Sequence, residues 1–169
     1  MLRVFDKILR TGKLTEELPA ADGAVAELGA ACQREIARAF GGSLAIRMVD
    51  AGSCNGCELE MHAVNNPFYD IERFGIHFVA SPRHADLLLV TGPVSRHMQA
   101  ALERTYAATP APKLVVAMGD CGADGGEFGV SYASCGAVAN VIPVDAVIRG
   151  CPPTPLQLLE GLLELLQKR

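Results

Sequence analysis

The sequence predicts an α/β fold of the flavodoxin-like type, with four or five parallel strands and helices on both faces of the sheet. Short apolar segments alternate with helical segments from Leu44 onward, which indicates successive strand–helix units. Segments such as Asp86–Thr91 are apolar without alternation, as is typical of strands that are covered on both faces. Half of the 169 residues are hydrophobic and none is tryptophan, so the composition suits one compact aliphatic core.

Two helices are predicted ahead of the sheet. The first is amphipathic and ends near Gly12, and its apolar and basic residues fall on opposite sides: Val4, Phe5, Ile8 and Leu9 against Arg3, Lys7 and Arg10. The second runs from about Asp22, as N-cap, to Phe40. Residues 1–42 are therefore predicted to form a helical extension and residues 43–169 an α/β domain. The first helix is expected to pack on its own domain, on a partner subunit or on a membrane surface.

The remaining elements follow in chain order. The predicted strands are Leu44–Val49, Ile76–Ala80, Asp86–Thr91, Lys113–Met118 and an extended segment Val141–Ile148. Helices are predicted from about Cys57 to Val64, from about Ser95 to Ala107 and from about Pro155 to the C-terminus. This number of strands favours a flavodoxin-like strand order.

Charge and hydropathy argue against several classes of protein. The formal net charge is −4 and no basic cluster is evident, so nucleic acid is not expected as a partner. No apolar run approaches the roughly 18–20 residues that a membrane-spanning helix requires, and the first residues lack the features of a signal peptide. We therefore expect a cytoplasmic protein, in which the six cysteines are free thiols or metal ligands rather than disulfides.

Four of these cysteines follow predicted strands. Cys54 and Cys57 come after the first strand, Cys121 after the fourth and Cys151 after the last. The carboxyl ends of parallel strands lie at one edge of a sheet, where such folds bind their ligands. The topology therefore predicts that four thiols distant in sequence converge at one site.

The donor set leaves three kinds of site open. Four thiolates suit zinc or an iron–sulfur cluster, whereas the Cys54-x-x-Cys57 pair alone would suit a thioredoxin-like redox site and leave Cys121 and Cys151 unused. Structural zinc sites usually have two close cysteine pairs, and only one is present here. Nearby glycines would let backbone amides approach the sulfurs, and a proline follows Cys151. These features favour a 4Fe–4S cluster.

The motifs in combination resemble a known family. They are Cys54-Asn-Gly-Cys-Glu-Leu-Glu60, Phe74-Gly-Ile76, Ser81-Pro-Arg-His-Ala-Asp-Leu-Leu-Leu-Val-Thr-Gly92, Gly119-Asp-Cys-Gly122 and Gly150-Cys-Pro-Pro-Thr-Pro155. The chain from about Leu44 to its end resembles the small subunits of energy-converting nickel–iron hydrogenases, which include that of formate hydrogenlyase. It is also similar to the 20-kDa cluster subunit of NADH:quinone oxidoreductase.

The resemblance implies an electron-transfer subunit without an active site of its own. It implies a shortened flavodoxin-like domain with one 4Fe–4S cluster on Cys54, Cys57, Cys121 and Cys151, beside the active site of a large hydrogenase-like subunit. A ferredoxin-like iron–sulfur subunit and membrane subunits are the other implied partners, with the complex on the cytoplasmic face of the inner membrane. The respiratory branch typically has adjacent cysteines at the first pair, so the Cys-x-x-Cys spacing favours a hydrogenase. The alternatives are the cluster subunit of a quinone-reducing complex and a zinc-stabilised interaction module.

Two acids follow the first cysteine pair and are candidates for proton transfer. Burial and a negative neighbour would raise the pKa of Glu58 or Glu60 and suit either to pass protons to or from the active site. The alternative is an ordinary acidic first helical turn, which the helix dipole favours.

The other reactive side chains have simpler predicted roles. Cys32 and Cys135 are expected to be buried small hydrophobes. Arg83 and His84 are expected to contact the large subunit, to bond near the cluster or to be solvated, whereas the remaining histidines, His62, His77 and His97, match no ligand pattern. Gly122–Gly126 lacks the Lys-Ser/Thr of a phosphate-binding loop, and a flavin site would follow from fold analogy alone.

Overall fold

The computed structural model describes residues 2–12 and 23–168. Five parallel strands form one sheet: β1 (Leu44–Asp50), β2 (Ile76–Phe78), β3 (Leu87–Thr91), β4 (Leu114–Met118) and β5 (Ala146–Ile148). Their spatial order is β2-β1-β3-β4-β5, which is the flavodoxin-like order that the sequence predicts. Six helices accompany the described strands: α1 (Leu2–Thr11), α2 (Gly23–Phe40), α3 (Gly56–Val64), α4 (Arg96–Ala108), α5 (Gly119–Asp124) and α6 (Pro155–Gln167).

Helices cover both faces of the sheet, as predicted. Side chains alternate along β3, so that Leu87 and Leu89 lie in one core and Leu88 and Val90 in the other. The first core is closed by buried residues of α2, α3 and α6, and the second by α4 and the segment 135–142. All five residues of β3 are buried, which explains the apolar run without alternation.

The last strand is shorter than predicted. Residues 141–145 lie outside β5, and a 3₁₀ turn, Val138–Asn140, precedes them. The side chain of Asp145 accepts a hydrogen bond from the Val115 backbone N at 2.7 Å, where a strand would supply a carbonyl oxygen. The carboxylate of Asp86 accepts in the same way from Ala45 N at 2.9 Å, and β3 correspondingly begins one residue after Asp86. At the start of β3 and of β5, a carboxylate thus takes the place of the backbone carbonyl that would accept the first bond of the ladder.

The two N-terminal helices differ in their environment. The helix α2 packs against α6, and its buried residues Cys32 and Ile36 belong to the same core as the sheet. Every described side chain of α1 is exposed; Phe5 is 61% exposed and Leu9 83%, so the rest of the described chain does not cover this apolar face. The division at residue 42 stays a prediction, and the Asp22 N-cap lies outside the described residues. Among the helices of the described ranges, none has the length and apolarity to span a bilayer.

Candidate metal centre

The four predicted cysteines line one cavity at the carboxyl edge of the sheet. Cys54 lies in the loop after β1, Cys57 in the first turn of α3, Cys121 in α5 after β4, and Cys151 after β5. Cys57 is buried and Cys121 half-buried, whereas Cys54 and Cys151 are exposed. The other residues around the cavity are small or polar: Ser53, Gly56, Gly92, Gly119, Asp120, Gly150 and Pro152. The fold therefore brings together the four thiols that the strand ends predict.

The loop of the first cysteine pair is organised by a carboxylate. Asp50, at the end of β1, accepts hydrogen bonds from the backbone N atoms of Gly52 and Ser53, both at 2.8 Å. The hydroxyl of Ser53 accepts from Asn55 N at 3.1 Å, and Asn55 has a left-handed conformation with φ 73° just before α3. Asparagine tolerates this conformation better than most residues. These local bonds fix the turn that carries Cys54 towards Cys57.

The other two cysteines lie on segments that bind each other directly. Asp120 N donates to the carbonyl oxygen of Gly150 at 2.9 Å, and Gly150 N donates to Asp120 Oδ1 at 3.1 Å. Arg149 adds ion pairs with Asp124 at 2.9 Å and with Asp120 at 3.8 Å. The segments that carry Cys121 and Cys151 are therefore held in register, although 30 residues separate the bonded pair.

Glycines leave the backbone in close contact with two of the sulfurs. A Cβ atom at Gly119, which has φ +85°, would lie 2.8 Å from Cys57 Sγ, and one at Gly126 would lie 2.8 Å from Cys121 Sγ. Real Cβ atoms essentially never approach so closely, and both residues have a positive φ that other residues rarely adopt, so both positions favour glycine. Close backbone approach to thiolate sulfur is a feature of iron–sulfur sites, where amide groups tune the cluster. The four thiols and the glycine-rich walls fit such a group.

The thiols also influence one another electrostatically. Burial, followed by the negative charges of Glu58 and of the other three cysteines, raises the pKa of Cys57 to about 12. Burial, followed by Cys151 and Cys54, raises the pKa of Cys121. The raised pKa values keep Cys57 and Cys121 protonated at neutral pH, and metal binding would require them to lose these protons. In residues 2–12 and 23–168, no group of three or more His, Cys, Asp or Glu is arranged to hold a single metal ion.

Of the two acids after the cysteine pair, Glu58 is the buried one. It is 4% exposed, and its carboxylate accepts hydrogen bonds from Ser53 Oγ at 2.5 Å and from Thr91 Oγ1. Ser53 lines the cysteine cavity, and Glu58 lines a second cavity next to α3. Glu60 is half-buried and lies on the other side of α3, since successive helical residues are about 100° apart.

The remaining candidates lie away from the cysteine cavity. Cys32 is buried and its Sγ contacts the carbonyl oxygen of Leu159 at 3.7 Å; burial raises its pKa to about 11. Cys135 is buried in the second core, as predicted, with Sγ 3.4 Å from Gln99 Oε1. Four of the basic candidates are exposed, namely Arg83, His84, His62 and His97. His77 is half-buried, and its Nε2 lies 3.0 Å from Ser43 Oγ.

Sequence reasoning missed three contributors to this site. These are the hydroxyls of Ser53 and Thr91, which hold Glu58, and the carboxylate of Asp120, which holds the Cys151 segment. The Asp50-x-Gly-Ser53 pattern is typical of a side-chain-capped turn and would have indicated the turn on which Ser53 lies, but not the bond from its hydroxyl to Glu58. No local pattern indicates the other two, because they join residues 33 and 30 positions apart.

Comparison with known proteins identifies the family. The family model described as NADH ubiquinone oxidoreductase, 20 Kd subunit, matches residues 54–165, which include all four cysteines. The chain belongs to this 20-kDa subunit family. The resemblance that the motifs indicate is thereby confirmed.

Relatives within the 20-kDa subunit family come from hydrogenases and quinone oxidoreductases. The chain is 44% identical over 140 residues to formate hydrogenlyase subunit 7 of Escherichia coli, which covers 83% of this chain and 53% of that protein. It is 46% identical over 120 residues to the probable membrane-bound hydrogenase subunit mbhJ of Pyrococcus furiosus, with 71% and 72% covered. It is 47% identical over 113 residues to an NADH-quinone oxidoreductase subunit of Herpetosiphon aurantiacus, with 66% and 63% covered. The chain thus spans about half the length of the formate hydrogenlyase subunit.

A solved structure shares the fold. A chain of the archaeal membrane-bound sulfane sulfur reductase, a respiratory membrane complex, superposes with a TM-score of 0.67 at 36% identity; the match covers 80% of this chain and 74% of that one. The relatives are subunits of oxidoreductase complexes, in agreement with the predicted class of protein.

Proposed function

We propose that this protein is the electron-transfer small subunit of a multisubunit nickel–iron hydrogenase. In this proposal Cys54, Cys57, Cys121 and Cys151 hold one 4Fe–4S cluster beside the active site of a large subunit, and a ferredoxin-like subunit exchanges the electrons. The observation that carries the proposal is the single cavity that all four cysteines line. A cluster of this kind supplies one-electron transfer when it is bound.

The exposure of the ligands supports a relay rather than a buried structural site. Cys57 and Cys121 anchor the site in the domain, whereas Cys54 and Cys151 lie at the surface. A partner subunit can therefore approach the metal closely on that side. The spacing of Cys54 and Cys57 favours the hydrogenase branch over a quinone-reducing complex. The quinone-reducing complex is the second candidate, because the relative from Herpetosiphon aurantiacus is an NADH-quinone oxidoreductase subunit.

The purified complex distinguishes these functions. Anaerobic co-purification of the chain with its large subunit should give about four iron atoms per chain, visible absorption near 400 nm, the low-temperature EPR signal of a reduced cluster, and nickel in the large subunit. Iron without nickel, together with quinone reduction, would assign the chain to a quinone-reducing complex instead. A colourless protein with one zinc ion would support the interaction module instead.

We further propose that Glu58 passes protons to or from the active site of the large subunit. Its buried carboxylate joins two cavities, since it lines one and bonds to Ser53, which lines the other. Thr91 holds the second carboxylate oxygen and so fixes its orientation. A carboxyl group positioned in this way can accept and release a proton without large movement. The position of Glu60 on the other side of α3 makes it the weaker candidate.

Exchange of Glu58 for Gln tests this role. The amide keeps the size and one acceptor oxygen but cannot take up a proton, so hydrogen turnover should fall about tenfold or more while the EPR spectrum is unchanged. Glu60→Gln is the matched control on the same helix and should keep most of the turnover. Full turnover in the Glu58 variant would refute the proton route.

Association with a membrane is part of the proposal. The helix α1 exposes its apolar face, and its opposite side carries Arg3, Lys7 and Arg10, which would face anionic headgroups. We propose that the complex is peripheral on the cytoplasmic face of the inner membrane, where membrane subunits and this helix would both hold it.

A further inference from the structure

A second cavity, outside the cysteine site, lies where β1 continues past the end of β2. Its volume is ≈ 240 Å³. The edge strand β2 ends at Phe78, which pairs with Ile46, so Arg47 and Met48 have their β3 partners on one side and no β2 partner on the other. The cavity fills this gap. Its lining combines an apolar wall with a few polar groups: Met48, Met61, Phe78, Val79 and Ala80 with Arg47, Glu58, His62 and Asn65.

The unusual feature of this cavity is an unpaired arginine. The Nε atom of Arg47 is fully buried and has no hydrogen-bond partner, and within the described part of the chain no carboxylate forms a salt bridge with Arg47. A guanidinium stays charged at every physiological pH. Buried N–H donors are nearly always satisfied in folded proteins, and charged ones most of all. Arg47 Nε is therefore a donor that the described chain leaves without an acceptor.

The nearby acid of the same cavity does not supply that acceptor. Glu58 lines the cavity together with Arg47, yet its two carboxylate oxygens accept hydrogen bonds from Ser53 and Thr91. No hydrogen bond or ion pair joins Glu58 to Arg47 in the described part of the chain. An acceptor from outside the described chain would satisfy this donor, and the positive charge of the half-buried Arg47 favours an anion.

We infer that the cavity receives an aspartate or glutamate side chain of the large subunit. A carboxylate pairs with guanidinium in the strongest hydrogen-bond geometry available to arginine. The cavity is smaller than the roughly 300–1,000 Å³ of most sites for organic ligands, but it has room for one acidic side chain whose methylene groups contact Met48 and Met61. Arg47 would then anchor the large subunit next to Glu58. The identity of the partner rests on the proposed function.

Cross-linking in the assembled complex identifies the anion. In the Arg47→Lys variant, a water-soluble carbodiimide should join the new amine to the large-subunit carboxylate as an amide, and peptide mass spectrometry should map the bond to one acidic residue. Arg104→Lys, on the exposed surface of α4, is the matched control and should give no such bond. No additional cross-link in the Arg47 variant, compared with the wild-type chain, would overturn the inference.

Affinity gives a second, independent measurement. Arg47→Met should weaken binding of the large subunit about thirtyfold or more, as expected when one partner of a buried charge pair is removed, while circular dichroism and the cluster EPR signal stay as in the wild type. Exchange of the mapped acid for Arg, combined with Arg47→Glu, should restore part of the affinity. If the Met variant binds the large subunit within about twofold of the wild type, the inference about Arg47 is overturned and the proposed function is not affected. A wild-type chain that binds no large subunit would overturn the proposed function and, with it, this inference.

Discussion

The contact between Asp120 and Gly150 is expected to decide how firmly the cysteine site is held together. Replacement of Asp120 by Ala removes the acceptor of the 3.1 Å bond from Gly150 N and the 3.8 Å ion pair with Arg149. The backbone bond from Asp120 N to the Gly150 carbonyl oxygen remains available. The variant therefore loosens one side of the link between the segments that carry Cys121 and Cys151.

The size of the effect follows from the exposure of the groups. A hydrogen bond to a charged acceptor contributes about 1.5–3 kcal/mol when it is well buried. The Asp120 side chain is 40% exposed, so we expect a contribution of about 1 kcal/mol. The ion pair with Arg149 is long and both groups are exposed, so it adds at most a few tenths of a kcal/mol. We expect Asp120→Ala to lower the free energy of unfolding by about 1–1.5 kcal/mol.

Two measurements on matched variants test this reasoning. Urea unfolding of the metal-free chain gives the free energy, and the rate at which a chelator removes iron from the loaded protein gives the effect on the site. Asp120→Asn keeps an acceptor oxygen and should lose less than half as much stability as the Ala variant. Wild-type stability together with wild-type iron retention in Asp120→Ala would refute the idea that this bond positions the ligands. Equal losses in the Asn and Ala variants would assign the effect to charge rather than to the hydrogen bond.

Three further predictions concern the cysteines, a glycine and the first helix. Because the fold raises the pKa of Cys57 from 9.0 to about 12, the folded metal-free chain binds more protons than the unfolded chain between pH 9 and pH 12. Unfolding titrations should therefore show that the contribution of Cys57 to the free energy of unfolding is complete below about pH 9 and is lost progressively towards pH 12. The Cys57→Ala variant should show a smaller loss. Gly119→Ala places a Cβ 2.8 Å from Cys57 Sγ at φ +85°, so iron content should fall by half or more, whereas Gly23→Ala, which meets nothing within 4 Å, should load normally. Phe5→Glu should reduce flotation of the chain with anionic vesicles at least severalfold while the exposed-site control Tyr132→Glu should not, and equal flotation of the two variants would argue against a lipid-facing α1.

Much of the fold was predictable because its determinants are local in sequence. Strands such as β3 and β4 are continuous apolar runs bounded by breaks, and a parallel sheet then follows from the alternation with helices. The short helix α5 was not predicted. Its six residues include two glycines and show no apolar periodicity. Tertiary contacts with neighbouring elements, including β3, β4 and β5, hold it in helical form.

For the candidate site, the sequence by itself determined the four cysteines and the edge of the sheet at which they meet. Residue type and strand order suffice for that, because the carboxyl ends of parallel strands share one edge. The tertiary structure alone decided which acid is buried, which carboxylate joins the Cys121 and Cys151 segments, and that Arg47 is left without an acceptor. These features depend on pairs such as Glu58 with Thr91, whose distance in sequence carries no local pattern. Burial and hydrogen bonding are properties of the assembled layers, and no single segment contains them.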